Sequence, residues 1–155
     1  MVQSPLKALV LLFLWGALIE DAGLFGLCWL APDSWFQLFH HARPAGLEPA
    51  LLRRAGGQWL AFALVQAIAL WRWRVQPIWL VIVAGARISD LFTDVSYILA
   101  APFLTAFGWF ALVPPPFLNA LFVVVMWRAY RRATALADGS PERPPRPSRR
   151  GSVKA

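Results

Sequence analysis

The stretch 77–102, PIWLVIVAGARISDLFTDVSYILAAP, decides what kind of fold this chain adopts. It opens and closes on proline, so a helix can begin at its first residue and has to stop near its last. At ~1.5 Å per residue it is long enough to cross the ~30 Å hydrocarbon core of a bilayer. Most of it is apolar, yet it holds Arg87, Asp90 and Asp94. At ~100° per residue these three and Tyr97 fall within an arc of about 80°, whereas Ile88, Leu91, Val95, Ile98 and Leu99 cover another face. A span-length helix with one polar seam belongs inside a membrane bundle, where the seam faces other helices.

Three further apolar stretches of similar length flank it, so the expected spans are about 5–30, 56–75, 77–101 and 116–132. The second has Pro49 as an early helix start, and the fourth follows the block Pro114-Pro115-Pro116. The first resembles a signal peptide in having Lys7 before an apolar run. It is too long for one and has no small-residue cleavage pattern before Glu20, so a retained helix is expected. Composition agrees. Hydrophobic residues make up 59% and charged residues 15%, against the ~25% charged residues of a soluble domain. Such hydrophobicity also excludes a disordered chain, and the lone Cys28 excludes a disulfide framework. The fold class expected is all-α, an integral membrane bundle of four transmembrane helices.

Two segments fall outside the spans. The uncharged, proline-bracketed run 103–113 is too short to cross and is expected as an interfacial or re-entrant piece before the fourth helix. Residues 134–155, rich in proline and arginine, are expected as a disordered cytoplasmic tail. That tail makes the net charge of +7 a statement about orientation rather than nucleic-acid binding. Lys7, Arg72, Arg74 and eight cations from Arg128 onward share one side, eleven in all, against Arg43, Arg53 and Arg54 on the other. Both termini are therefore expected in the cytoplasm of a bacterial cell, in its inner membrane, with the lipid bilayer as partner and no nucleic acid. Tryptophans near the span ends, among them Trp35, Trp59, Trp73 and Trp127, fit aromatic belts.

Half of the eight acidic residues lie inside spans: Glu20, Asp21, Asp90 and Asp94. Each is costly in a bilayer unless it faces the bundle interior and finds partners. Counting ~1.5 Å per residue from the cytoplasmic entry puts Glu20 roughly 22 Å deep, level with Arg87 at roughly 15 Å, Asp90 at roughly 20 Å and Asp94 at roughly 25 Å. Gly16, Gly23 and Gly26 lie on the Glu20 side of the first span, a small-residue face that suits close helix approach. Gln66 and Asn119 stand at depths from which their amides can join the cluster. Four carboxylates against one arginine leave excess negative charge, the pattern of a proton-carrying carboxyl network or of a polar cavity for a small ligand. An ion-pair lock that only holds the helices together uses the same residues.

Other signals are bland. His40 and His41 point to different helix faces and have no third ligand, so no metal site is expected; Trp35, Phe36 and Phe39 beside them suit an interfacial loop dipping into headgroups. Cys28 reads as a small buried apolar residue. No phosphate loop, nucleophile elbow or cofactor motif is present, so neither a catalytic residue nor a cofactor is assigned. The length, the four spans, the Arg53-Arg54-Ala55-Gly56-Gly57 entry to the second span and the polar third span resemble the DoxX-like group of small bacterial membrane proteins. The resemblance covers about 5–133 and departs at the triple proline and the heavily charged third span. It implies a four-helix bundle and, for some members, association with quinone-linked oxidoreductases. The functional expectation is a non-enzymatic accessory subunit or small-ligand binder, acting as a homo-oligomer or within a larger membrane complex. The alternatives are a proton-coupled carrier or channel component and a subunit of a quinone-linked oxidoreductase.

Overall fold

The computed structural model describes residues 4–138. Six helices follow in order, with no strand among the described residues: α1 (Ser4–Leu30), α2 (Pro32–His40), α3 (Glu48–Arg72), α4 (Ile78–Ala100), α5 (Ala106–Leu112) and α6 (Pro114–Asp138). The prolines mark helix starts as the sequence suggested, because a first-turn residue has no use for its N–H. Pro114, Pro115 and Pro116 all sit in the first turn of α6, and Val113 before them keeps helical dihedrals. Helix α3 starts earlier than the expected span, where the Glu48 carboxylate accepts from the Ala45 N–H at 2.8 Å. Helix α6 also runs five residues into the stretch read as tail. The rest of that stretch, 139–155, lies outside the described residues.

By length and composition, two segments are apolar enough to cross a membrane: Pro5–Leu30 and Ala106–Leu136. Helix α4 has the length but carries three charges, and the apolar run of α3 is interrupted by Gln58 and Gln66.

The four long helices form a ring. α1 packs chiefly on α3 and α4 on α6, while α3 with α4 and α1 with α6 close it. Each main pair is antiparallel: along α1 and α3, Cys28 meets Gly56 and Asp21 meets Gln66. The first of these is the closest approach, since a Cβ on Gly56 would lie 3.2 Å from the Cys28 Cβ. Gly16, Gly23 and Gly26 do not serve as a packing face, for nothing lies within 4 Å of a Cβ built on them. Arg53, one turn before Gly56, donates through Nε to the Trp29 carbonyl at 3.3 Å and so satisfies a free acceptor at the end of α1.

The interior has three layers. Toward the chain termini, Val10, Leu14, Ala69, Leu80, Phe122 and Met126 form a closed apolar cluster. Next comes a polar belt, Asp21, Gln66, Arg87, Asp90 and Asn119, all buried. Beyond it, Cys28, Trp35, Phe39, Leu104 and Leu112 build a second apolar cluster from α1, α2, α5 and the turn before α5. Helices α2 and α5 thus form a cap on one end of the bundle.

The cap replaces the expected interfacial loop. Trp35 and Phe39, one turn apart on α2, stack at 4.2 Å between ring centroids and face inward rather than toward headgroups. Burying both rings between α3 and α5 removes more apolar surface from water than an interfacial position does. Trp73, expected in an aromatic belt, is likewise buried, in the terminal-end cluster. Thr105 fastens the cap. Its N–H donates to the Phe39 carbonyl at 2.9 Å, its hydroxyl donates to the Leu38 carbonyl, and its Oγ1 accepts from the Gly108 N–H at 2.9 Å as the N-cap of α5. Gly108 is required there, because a Cβ would stand 2.9 Å from the Phe39 carbonyl oxygen.

Candidate functional site

Arg87 is the centre of the polar belt. It is 1% exposed, on the inward face of α4. Its Nη2 donates to Asp21 Oδ2 of α1, and its Nη1 donates to Asp90 Oδ2 at 3.0 Å, one turn along α4. Asn119 of α6 accepts weakly from Nη1 at 3.5 Å and donates through Nδ2 to Asp90 at 3.1 Å and Asp94 at 3.4 Å. Gln66 of α3 donates to the same Asp21 oxygen at 2.7 Å. The Phe62 ring of α3 faces the guanidinium, 5.4 Å from its centroid to Cζ. One network therefore ties together all four long helices. Three of its buried atoms, Asp21 Oδ1, Gln66 Oε1 and Arg87 Nε, have no hydrogen-bond partner.

Of the eight residues singled out from sequence, six meet in this network: Asp21, Gln66, Arg87, Asp90, Asp94 and Asn119. Glu20 does not join it. It is exposed on the side of α1 and reaches only the wall of a small cavity beside Asp90 and Asp94. The glycine face that suggested Glu20 points inward proves to be the outer face of α1. A better signal was present: the inward residues Val10, Leu14, Ala17, Asp21, Leu24 and Cys28 recur every three or four positions, which selects Asp21 over its neighbour.

Tyr97 also leaves the carboxylate ladder, although its position on the seam is as expected. Its hydroxyl lies 2.5 Å from His40 Nε2 and accepts from Trp35 Nε1 at 3.3 Å. His40 Nδ1 is 2.8 Å from the Phe103 carbonyl oxygen. A carbonyl can only accept, so Nδ1 carries a proton and, in the neutral ring, Nε2 accepts from the Tyr97 hydroxyl. The chain Trp35–Tyr97–His40–Phe103 thus bolts the cap to α4. No spacing rule reveals it, because each bonded pair lies 57 or more positions apart.

Cavities lie between belt and cap. One of about 110 Å³ is lined by Trp35, Trp59, Asp90, Thr93, Asp94 and Tyr97, among others. A second of about 50 Å³ shares Trp35, Trp59, Asp90 and Asp94 with it and adds Glu20. A broader cleft of about 460 Å³ opens at the bundle end between His40, Arg43, Glu48, Tyr97 and Phe103. Tyr97 lines both the cleft and the cavity of about 110 Å³. The two smaller cavities share the wall of Trp35, Trp59, Asp90 and Asp94, a chamber with acids on its belt side and aromatic rings on its cap side; the apolar cluster lies beyond the belt, toward the chain termini. Among the described residues no group of three or more His, Cys, Asp or Glu side chains could hold a metal ion.

No family model, no curated protein and no solved structure matches the chain.

Proposed function

We propose that this chain is a multi-pass protein of the bacterial inner membrane, with four transmembrane helices and both termini in the cytoplasm. In this reading it is a non-enzymatic binder of a small ligand, working as an accessory subunit of a larger membrane assembly. The membrane assignment for α3 and α4 draws support from their inside-out character. Leu64 and Trp71 on α3, and Phe92 and Leu99 on α4, are exposed, whereas Gln66, Arg87 and Asp90 are buried. Soluble monomers seldom display such a continuous apolar surface. Thr93, which is exposed and also borders the larger cavity, returns its hydroxyl to the Ser89 carbonyl at 3.0 Å and so needs no water as a partner. The positive charges at the terminal end favour its placement in the cytoplasm and the cap outside.

The observation that carries the ligand reading is the chamber itself. A lock needs only the Arg87 network; it does not need an aromatic-walled space next to Asp90 and Asp94. The apolar cluster below the belt speaks against conduction, since it leaves no polar route onward to the cytoplasmic end. Titrating the purified protein in lipid nanodiscs with a panel of neutral, cationic and anionic compounds of benzene size tests the reading. At least one class should raise the melting temperature and perturb tryptophan fluorescence through Trp35 and Trp59. If no class does so, the chamber is a packing gap and the protein is a locked bundle.

A second reading, a proton-handling component, is favoured by Tyr97, which bonds His40 and lines both the outer cleft and the acidic cavity. Vesicles loaded with a pH-sensitive dye would then acidify faster with the protein than without it, and Tyr97→Phe would remove the difference.

A further inference from the structure

We infer that the end of the bundle nearest the chain termini is a docking surface for anionic phospholipid, with exposed arginines beside tryptophans to take the headgroups. The inference rests on the membrane reading above and adds the class of lipid.

The surface is assembled from parts far apart in sequence. Leu6 of α1, Leu70 and Trp73 at the end of α3, Trp79 of α4, and Ala129 and Tyr130 of α6 pack in one apolar cluster, so these helix ends meet. Cations stand beside them in sequence: Lys7, Arg72, Arg74, Arg128 and Arg131. The four arginines are exposed, and Lys7 is partly so. None of the five pairs with a carboxylate among the described residues. The six acids before Asp138 stand at belt level or toward the cap. Residues 139–155 hold five cations and one acid, so the chain has no acidic segment of its own to lay over this end. Unpaired charge of one sign, gathered from three helices and a turn, calls for an anionic partner.

The neighbouring surface decides which anion. Within about one and a half turns of these cations, on the side toward the cap, Leu12, Ile68 and Val124 are exposed. A nucleic acid or an acidic peptide would satisfy the cations and leave that apolar band bare. A phospholipid presents phosphate at one level and hydrocarbon at the next, and so matches both.

The aromatic residues point the same way. Trp71 is 75% exposed, and the Arg72 guanidinium lies over its ring, with Cζ 4.2 Å from the centroid. Stacking holds the planar group by its face, whereas a phosphate takes it by the N–H edge, two oxygens at a time. Trp127, beside Arg128, is also exposed and packs on Tyr130 with ring centroids 5.8 Å apart. Indole rings and arginines at one level suit a headgroup layer, where the ring sits among apolar stems and the charge meets phosphate.

Phosphatidylglycerol and phosphatidylcholine test the inference, because they share acyl chains and a phosphodiester and differ in net charge. Each is titrated into the full chain in dodecylmaltoside micelles, with melting temperature and tryptophan fluorescence as readouts. Phosphatidylglycerol should reach half its effect at a mole fraction at least about tenfold lower, and salt at about 0.5 M should shrink the gap. Arg72→Gln with Arg74→Gln should weaken phosphatidylglycerol about five- to tenfold, and so should Arg128→Gln with Arg131→Gln. Arg43→Gln with Arg54→Gln, exposed toward the cap, should change nothing. If one arginine pair does not fold when altered, the other carries the test. Equal response to the two lipids overturns the inference and keeps the membrane reading, as does a preference that the altered pairs leave untouched. Sodium phosphate or a single-stranded oligonucleotide reproducing the whole effect also overturns it, since either fits the cations without the apolar band. Failure to enter vesicles of the two lipids mixed, once detergent is removed, overturns the membrane reading itself.

Discussion

Arg87 shows how one residue can set the internal order of a bundle. Its guanidinium spends its donors on carboxylates from two helices, and nothing else in the belt is cationic. Arg87→Leu therefore leaves Asp21 and Asp90 buried without a counter-charge, and breaking a buried pair from one side costs about 3–5 kcal/mol. Unfolding in detergent should register that loss. Adding Asp21→Asn and Asp90→Asn to Arg87→Leu should recover a good part of it, since no ionised pair member is then left alone. If the triple variant is no more stable than Arg87→Leu, the network is not the electrostatic unit described above. The choice between Glu20 and Asp21 was legible only through the three-four recurrence of Val10, Leu14, Ala17 and Cys28. One residue of helix rotation, ~100°, exchanges the two acids, and glycines mark a close approach only when a partner helix is there to take it.

At the scale of elements, the long helices were the easy part. Prolines at 49, 77 and 114–116 mark their starts, whereas the apolar runs understate α3 and α6, which extend into polar sequence beyond them. The cap was not legible. A nine-residue helix and a seven-residue helix have too few turns for a reliable period, and their pairing depends on backbone groups far apart in sequence. Its one sequence mark is Gly108, whose meaning emerges only once the Phe39 carbonyl is seen against it. Gly108→Ala should push α5 off α2 and cost about 1–3 kcal/mol, the range typical of overpacking. Hydrogen exchange should rise in α2 and α5 and stay unchanged in the α1–α3 pair. Exchange that rises evenly over the whole chain would mean that the cap is not a separate unit.

At the scale of the whole molecule, the proposed orientation rests on charge and can be tested directly. A reporter fused after Ala137 should be active only in the cytoplasm, and one inserted at the exposed Gly46, between α2 and α3, only outside. The opposite result for either would turn the chamber toward the cytoplasm. The ring of helices also has a consequence for how the protein is made. Its strongest pairings, α1 with α3 and α4 with α6, are each complete within one half of the chain, whereas the ion pair from Arg87 to Asp21 joins the halves. In the proposed membrane setting, the first half would enter the bilayer holding an acid whose cation has not yet been synthesised, with only Gln66 to shelter it. The second half arrives carrying the missing charge. Two fragments divided in the 73–77 turn and expressed together should find each other and co-purify. Arg87→Leu in the second should weaken that reunion and leave it to the cap, where Trp35, Phe39 and His40 still meet Tyr97, Phe103 and Thr105 across the cut.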